Sequence, residues 1–201
     1  MARLGFLTGN AGKLAEATAL LGPLGIEVTS LTIDGVRPEL IEPQAESLRE
    51  VAAAKIDQAV SALAAAGRSD EFVLVEDSGL FIEALPAFPG VYSAHVLKSI
   101  GLDGILRLMA GRTDRCAHFM TVAALWDGET THFFEGRCEG SITEAVRGAD
   151  GFGYDPLFQP EGEDRTFAEM PRDEKAAMSH RGRALRQLVE HFESNSGRRH
   201  C

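Results

Sequence analysis

Residues 72–81 constrain the fold of this chain more than any other stretch. They open with four apolar residues, a run typical of a buried strand, and continue into the acidic pair Glu76 and Asp77. Ionised carboxylates are costly to bury without a partner, so the pair indicates a metal ion, a basic group or a catalytic role where a core strand ends. The alternative is a strand that ends in an acidic turn, in which Asp77 only caps the next segment.

The regions around this stretch predict an α/β protein. Strand, helix and strand are expected at residues 4–7, 14–21 and 25–31, and a helix with a capping box at Ser47 and Glu50 packs beyond an irregular acidic loop. Residues 84–93 predict a shaped loop and residues 100–109 a short amphipathic helix. Three antiparallel strands are expected at residues 116–126, 130–135 and 138–143, with a hairpin turn at Asp127 and Gly128.

Composition excludes several classes of protein. The net charge of −10 argues against general nucleic-acid binding, which needs basic surface, and no apolar run reaches the roughly 18–20 residues that cross a bilayer. The N-terminus lacks a signal-peptide pattern, and the three cysteines have no disulfide or metal spacing, so a cytoplasmic location is expected. No linker or repeat divides the chain, which predicts a single domain over residues 1–201 with a disordered polar tail at residues 194–201.

Residues 8–13, with the sequence TGNAGK, form a glycine-rich turn between the first predicted strand and helix. Such a turn directs free backbone N–H groups and the positive end of the helix at an anion, and Lys13 adds a full charge. Leu7 and Leu14 stand where a P-loop needs other residues, and the Rossmann glycine pattern is also absent. A tight turn with a solvated lysine is the alternative.

Two further segments concentrate unusual residues. In GFGYDP, residues 151–156, the glycines allow close backbone approach to a ligand, and Phe152 and Tyr154 offer faces on which a base can stack. Ser179 is expected to N-cap the last helix, which puts the cations of His180 and Arg181 in its first turn against the helix dipole. The alternatives are a turn whose aromatic rings cover the core and two solvated basic side chains.

A nucleoside polyphosphate with a divalent cation accounts for the turn, the acidic pair, the aromatic loop and a basic cluster that includes Lys175. The chain resembles the inosine triphosphate pyrophosphatase family, and in particular its archaeal-type members. The resemblance rests on TGNAGK, EDSGLFIEAL with FPGVYSA, GFGYDP, TFAEM and SHRG, which occur in that order over nearly the whole chain.

The resemblance implies hydrolysis of ITP, dITP and XTP to the monophosphate and pyrophosphate. It implies that Asp77 is a metal ligand and the proton acceptor for the attacking water, that Glu42 is the second metal carboxylate, and that Mg²⁺ is the ion, with Mn²⁺ as a substitute. Glu76 is a further possible ligand, and Glu39 is the alternative to Glu42 because Pro43 interrupts that loop. The implied substrate-binding residues are Thr8, Gly9, Asn10, Ala11, Gly12, Lys13, Ser78, Phe152, Gly153, Tyr154, Asp155, Lys175, His180 and Arg181, the pair His180 and Arg181 near the six-position oxygen of the base.

The implied fold is a two-lobed α/β structure around an elongated mixed sheet flanked by helices. The resemblance places the active-site cleft between the lobes and implies a homodimer. The charge and the apolar runs predict no nucleic-acid or membrane partner. Two other classes remain open from the residues: a nucleotide sensor that binds without cleaving, and a structural α/β protein whose acidic turn is only a cap.

Overall fold

The computed structural model describes residues 2–196, which form seven strands and five α-helices. The strands are β1 Ala2–Phe6, β2 Ile26–Ser30, β3 Phe72–Ile82, β4 Leu85–Pro89, β5 Cys116–Trp126, β6 Thr131–Ile142 and β7 Phe158–Pro160. The helices are α1 Ala11–Leu21, α2 Leu48–Ala65, α3 Ser93–Leu108, α4 Arg172–Met178 and α5 His180–Ser196. Within the described residues, none of these helices has the length and apolar character needed to cross a membrane.

All the strands of residues 2–196 join one mixed sheet with the order β2-β1-β3-β5-β6-β7, and β4 pairs with β3 off this path. β1 is parallel to both β2 and β3, whereas β4 is antiparallel to β3 and β7 is antiparallel to β6. Parallel neighbours need a crossover, which α1 provides between β1 and β2. The predicted α/β class with a mixed sheet and helices is therefore confirmed, together with the opening strand–helix–strand unit.

The chain divides into two compact units. Unit 1 comprises Met1–Asp77, Val122–Glu135 and Ala184–Cys201, and unit 2 comprises Ser78–Thr121 and Gly136–Arg183. The boundary on β3 falls at the peptide bond between Asp77 and Ser78. The single domain without a linker stays a prediction.

Unit 1 has its core between α1, α5 and the strands. The core side chains are Leu4, Phe6, Ala17, Leu21, Ile26, Val28, Leu74, Ala123, Leu125, Phe134, Leu185 and Leu188. Helix α2 begins at the predicted capping box, where the Glu50 N–H donates to the Ser47 hydroxyl and the Ser47 N–H donates to the Glu50 carboxylate. A cap of this kind stabilises a helix by about 1 kcal/mol and fixes where α2 starts.

Unit 2 has an aromatic core. It contains Leu80, Ile82, Val96, Ile105, Met109, Ala117, Phe119, Cys138, Ile142, Tyr154, Leu157, Phe158, Phe167 and Met170. The irregular loop predicted at residues 84–93 is wrong, because β4 pairs there with β3, a 3₁₀ turn follows and α3 already begins at Ser93. The predicted helix at residues 100–109 corresponds to the second half of α3, which is interrupted at Gly101 with φ 65°.

Two strand predictions are corrected. β6 is one strand of 12 residues where two were expected, because alternate burial continues through Phe134, Gly136 and Cys138 without a break. β3 extends for 11 residues, so Glu76 and Asp77 lie in its middle and not at its end, and the acidic-turn alternative is wrong. A Cβ on Gly79 would lie 2.4 Å from the Gly90 carbonyl oxygen, so glycine permits the strand to continue past this close contact.

Helix α5 begins as predicted, with the Gly182 N–H donating to the Ser179 hydroxyl over 3.1 Å. It then runs to Ser196, three residues into the segment predicted as a disordered tail. The Ser194 hydroxyl donates to the Glu190 carbonyl one turn earlier, a local bond compatible with helix. Residues 197–201 of the predicted tail lie outside the described residues.

Candidate functional site

The turn at residues 8–13 folds around its own side chains. The Asn10 carboxamide oxygen accepts from the N–H groups of Gly12 and Lys13 over 2.9 and 3.2 Å, and the Thr8 hydroxyl accepts from the Asn10 N–H. Asn10 is thus the N-cap of α1, whose first residue is Ala11. The N–H groups of Gly12 and Lys13 are thus already bound by the cap, and the anion-binding role of the turn stays a prediction.

Two cations lie at this turn in unit 1. The Lys13 ammonium is 3.3 Å from the Glu76 carboxylate and 3.4 Å from the Glu76 carbonyl oxygen. A Cβ on Gly9 would lie 2.6 Å from Nη1 of Arg37, so the guanidinium rests against the glycine backbone. Lys13 is predictable here from the sequence, whereas Arg37 is not, because the acidic residues of its loop indicate metal ligands.

The carboxylate cluster consists of Glu42, Lys55 and Asp77. The Lys55 ammonium lies 2.9 Å from one Asp77 oxygen and 2.5 Å from one Glu42 oxygen. Burial works against the charged ammonium, but the two carboxylates outweigh it, so the pKa of Lys55 is raised. Burial also raises the pKa of Asp77, although Lys55 and Lys13 act in the opposite direction.

Lys55 was not predicted as a site residue, because the apolar pattern of α2 indicates a packing helix. A signal was present: Lys55 falls four residues after Val51 and four before Ala59, both buried, so it lies on the apolar stripe. A lysine at such a position has to reach an acceptor beyond the core. The acceptor is the Asp77 carboxylate in the middle of β3.

The carboxylate cluster fits a divalent cation. Glu42 and Asp77 direct one oxygen each at a single positive group, and hard oxygen donors of this kind are the ligands that Mg²⁺ takes, usually one or two carboxylates with waters. The Glu42 side chain is 62% exposed and the Asp77 side chain 13%, an arrangement with one side open to solvent. Glu39 is exposed, and the contact with Lys55 is made by Glu42, which favours Glu42 over that alternative.

The aromatic–basic group of unit 2 consists of Phe152, Asp155, Lys175 and Arg181. Asp155 is only 3% exposed; its carboxylate accepts from the Lys175 ammonium over 2.6 Å and from the Phe152 N–H over 2.7 Å. Burial raises the pKa of Asp155, while Lys175 opposes that shift. Gly151 has φ 78° and its Cβ would meet the Asp155 carboxylate at 2.3 Å, so only glycine lets the loop close on this residue.

Two cations lie over the ring of Phe152. The Lys175 ammonium is 4.7 Å from the ring centroid and the Arg181 guanidinium carbon is 5.1 Å away, both within cation–π range. Tyr154 is different: its ring is buried and its hydroxyl donates to the Ser93 carbonyl over 2.7 Å. Burial raises the pKa of that hydroxyl. The role of Tyr154 in the nucleotide site stays a prediction. In the structure its hydroxyl anchors the loop of residues 151–156 to the Ser93 carbonyl.

The first turn of α5 brings two buried basic residues into unit 2. Arg181 contacts the Ser78 hydroxyl over 3.5 Å, and Ser78 shares a 2.7 Å hydrogen bond with Thr121. The His180 ring stacks on Phe119 with centroids 4.5 Å apart. The alternative of two solvated basic side chains is therefore excluded for His180 and Arg181.

The predicted residues thus fall into two groups, each assembled within its own unit. Unit 1 brings the turn, Lys13, Glu76, Asp77 and Glu42 together and adds Lys55 and Arg37. Unit 2 brings Ser78, Phe152, Asp155, Lys175 and Arg181 together, with Gly153 at φ 71° in the same loop. The two groups are consecutive in sequence at Asp77 and Ser78.

Comparison with known proteins extends these observations. The profile of the Ham1 family matches residues 4–191. A dITP/XTP pyrophosphatase of Thermococcus kodakarensis is 50% identical over 193 residues, which covers 96% of this chain and 98% of that protein, and one of Pyrococcus horikoshii is 45% identical over 190 residues, which covers 94% and 96%. A HAM1 protein structure from Coxiella burnetii superposes with a TM-score of 0.81 at 34% identity, covering 96% of this chain and all of that one. The Staphylococcus aureus Ham1 protein gives a TM-score of 0.82 at 26% identity, covering 96% and 99%.

Proposed function

This chain belongs to the Ham1 family, and we propose that it hydrolyses non-standard purine nucleoside triphosphates (ITP, dITP and XTP) to the monophosphate and pyrophosphate. The observation that carries the proposal is that the Asp77 and Glu42 carboxylates both contact the Lys55 ammonium. They do so in the unit that also holds Lys13. A pyrophosphatase needs carboxylates to hold a metal and to accept a proton, and cations to hold phosphates. Relatives named for this activity support the choice of substrate.

The triphosphate binds in unit 1. Lys13 supplies an ammonium that is 16% exposed at its side chain and already directed at carboxylate and carbonyl oxygens, a geometry that suits phosphate oxygens equally. The Asn10 cap holds residues 8–13 in one conformation before substrate arrives, which lowers the entropy lost on binding. Arg37 lies at Gly9 and adds a second cation to the same turn.

Mg²⁺ is the proposed cofactor, held by Glu42 and Asp77 with Mn²⁺ as a substitute. When bound, the ion would lower the pKa of a coordinated water and screen the negative charge of the phosphates. An ion held by the two carboxylate oxygens that now face Lys55 would displace its ammonium, which lies 2.5 Å from Glu42 and 2.9 Å from Asp77. Glu76 pairs with Lys13, so we assign it to holding that lysine and not to the ion.

Asp77 is the proposed catalytic residue. A water attacks the α-phosphorus in line with the leaving pyrophosphate; an oxygen–phosphorus bond forms, the α–β bridging bond breaks, and the water proton passes to the Asp77 carboxylate. Burial raises the pKa of Asp77, which makes its carboxylate a better proton acceptor than an exposed aspartate. The strand holds the side chain still, since Val75 and Glu76 before it on β3 are buried.

The base binds in unit 2. Arg181 is a permanent hydrogen-bond donor, and a donor matches the six-oxo group of hypoxanthine or xanthine while meeting a second donor in the amino group of adenine. Phe152 offers a ring that already attracts cations, and Lys175 and Asp155 fix its loop. Ser78, Gly153 and His180 complete the proposed set.

The direct test is pyrophosphate release. We expect the protein with ITP and Mg²⁺ to yield one pyrophosphate for each monophosphate, and to act on ATP with a kcat/KM lower by about 100-fold or more, because the pocket donors match the oxo form. Coupled detection of pyrophosphate and separation of the nucleotides measure both. Binding of ITP without release would identify a nucleotide sensor, and neither binding nor release would support a structural protein.

Replacing Lys13 by Ala should weaken triphosphate binding. A charged hydrogen bond contributes about 1.5–3 kcal/mol, so we expect the KM for ITP to rise roughly 10–100-fold with a smaller change in kcat. Steady-state kinetics check this, with the exposed Lys98→Ala as the matched control. Because the change also removes the ammonium 3.3 Å from the buried Glu76 carboxylate, Lys13→Ala/Glu76→Gln is measured too. A normal KM in that double variant would show that Lys13 serves stability alone.

A homodimer and a cytoplasmic location are also proposed. Both follow from the resemblance and from composition. Analytical ultracentrifugation of the full chain measures the first, and fractionation of cells measures the second.

A further inference from the structure

Three potential metal ligands meet in unit 1 outside the carboxylate cluster. Within residues 2–196, Asp127, His132 and His191 each bring a ligand atom to within 4.8 Å of the other two. Asp127 follows β5, His132 lies at the start of β6 and His191 lies on α5. None of the three belongs to the predicted nucleotide or Mg²⁺ residues.

The turn between β5 and β6 orients the Asp127 carboxylate. One oxygen accepts from the N–H groups of Glu129 and Thr130 over 3.0 and 2.8 Å, and the other lies 2.8 Å from Nε2 of His132. Burial opposes ionisation, but these hydrogen bonds outweigh it and lower the pKa of Asp127 to about 2. The carboxylate is therefore an ionised ligand at any ordinary pH, and its second oxygen faces the imidazole.

The two imidazoles are in contact with each other. The His132 and His191 ring centroids are 4.3 Å apart at an interplanar angle of 48°. Burial lowers the pKa of His191, and the neighbouring His132 lowers it further, which favours the neutral ring. A neutral imidazole is the form that coordinates a metal. All three side chains are half-buried, so an ion can reach them from solvent.

We propose that Asp127, His132 and His191 bind a zinc ion that joins the β5–β6 turn to α5. Two imidazole nitrogens and one carboxylate oxygen are a donor set that Zn²⁺ takes in four-coordinate sites, with water as the fourth ligand. At Zn–N and Zn–O distances near 2.0–2.1 Å, tetrahedral ligand atoms lie about 3.3 Å apart. The three ligand atoms already lie within 4.8 Å of one another, and the Asp127–His132 pair lies at 2.8 Å, so small side-chain rotations would bring the set to that spacing.

Protons compete with metal ions for imidazole nitrogen, so zinc affinity should fall as the solution becomes acidic. The site differs in chemistry from the oxygen-only pair of Glu42 and Asp77, which suits Mg²⁺. Zinc binding and pyrophosphatase activity are consequently separable.

The test titrates Zn²⁺ into metal-free full-length protein by calorimetry, with excess Mg²⁺ present. We expect one zinc per chain, and a loss of at least about tenfold in affinity in His132→Gln and in His191→Gln. His95→Gln, an exposed histidine on α3, is the matched control and should bind zinc normally. Asp77→Asn should also bind normally, which separates this site from the carboxylate cluster.

Two further measurements guard against variants that fold poorly. Saturating zinc should raise the Tm of the unaltered protein by roughly 5 °C or more and that of the His132→Gln/His191→Gln variant hardly at all. Co²⁺ in the unaltered protein should give the visible absorption of a tetrahedral nitrogen–oxygen site. Absence of zinc binding, full stoichiometry in the double-histidine variant, or loss of zinc in Asp77→Asn would each overturn the proposal.

Discussion

Asp77→Asn should lower kcat for ITP by about 10³-fold while the protein stays folded, because a general base and metal ligand is replaced by a neutral amide of the same size. The amide oxygen can still accept from Lys55, which lies 2.9 Å from the carboxylate in the structure. The Lys55 ammonium also keeps its contact with Glu42, so neither charge is left buried alone. Steady-state pyrophosphate release measures kcat, and circular dichroism with thermal unfolding measures the fold.

A magnesium titration distinguishes the two parts assigned to Asp77. If the residue served only as a ligand, high Mg²⁺ would restore kcat in Asp77→Asn; we expect kcat to stay low at saturating Mg²⁺ because the proton acceptor is also missing. Asp57→Asn removes one carboxylate from the exposed face of α2 and is the matched control. Activity of Asp77→Asn within tenfold of normal would end its assignment, because a lost general base costs roughly 10²-fold at the least.

Asp155→Asn should have the largest effect on stability. It removes the anion beside the ammonium of Lys175, a residue that is 6% exposed, and breaking a buried ion pair from one side costs about 3–5 kcal/mol. For a chain of this size that corresponds to a fall in Tm of roughly 6–20 °C. The amide oxygen still suits the Phe152 N–H, so the loss reports on the ion pair. Urea unfolding measures the free energy of unfolding.

The loss in the free energy of unfolding should depend on whether one or neither charge of the Asp155–Lys175 pair remains. Asp155→Asn/Lys175→Met removes both charges and should recover most of the lost stability, since an apolar replacement of a buried pair is often neutral. Glu174→Gln breaks the exposed pair of Glu174 with Arg165 and should change the Tm little. Equal effects of Asp155→Asn and Glu174→Gln would contradict the importance given to the buried pair.

Local signals made the elements predictable. The capping box of Ser47 and Glu50, the N-cap by Ser179 and the turn at Asp127 are all formed between residues at most a few positions apart, so the sequence alone contains the whole interaction. The pairing of β4 with β3 is harder to predict from the sequence, because prolines in residues 84–93 indicate a loop until the partner strand is known. Pairing then overrides the local preference.

The site residues show the same division. The sequence, through its resemblance, assigned Asp77 and Glu42, but it did not identify Lys55, whose acceptor Asp77 is 22 residues away on another element. Tyr154 looked like a stacking face because nothing in its neighbours in sequence shows that the Ser93 carbonyl, 61 residues earlier, takes its hydroxyl. Contacts at such separations are decided by packing.

Lys55 gives the carboxylate cluster an internal counter-ion. Two carboxylates that converge without a cation repel each other and favour protonation or local unfolding. With the ammonium 2.5 and 2.9 Å from Glu42 and Asp77, the charge of the cluster falls from two negative units to one before any ion binds. The folded protein can therefore keep this cluster intact before magnesium or a nucleotide binds.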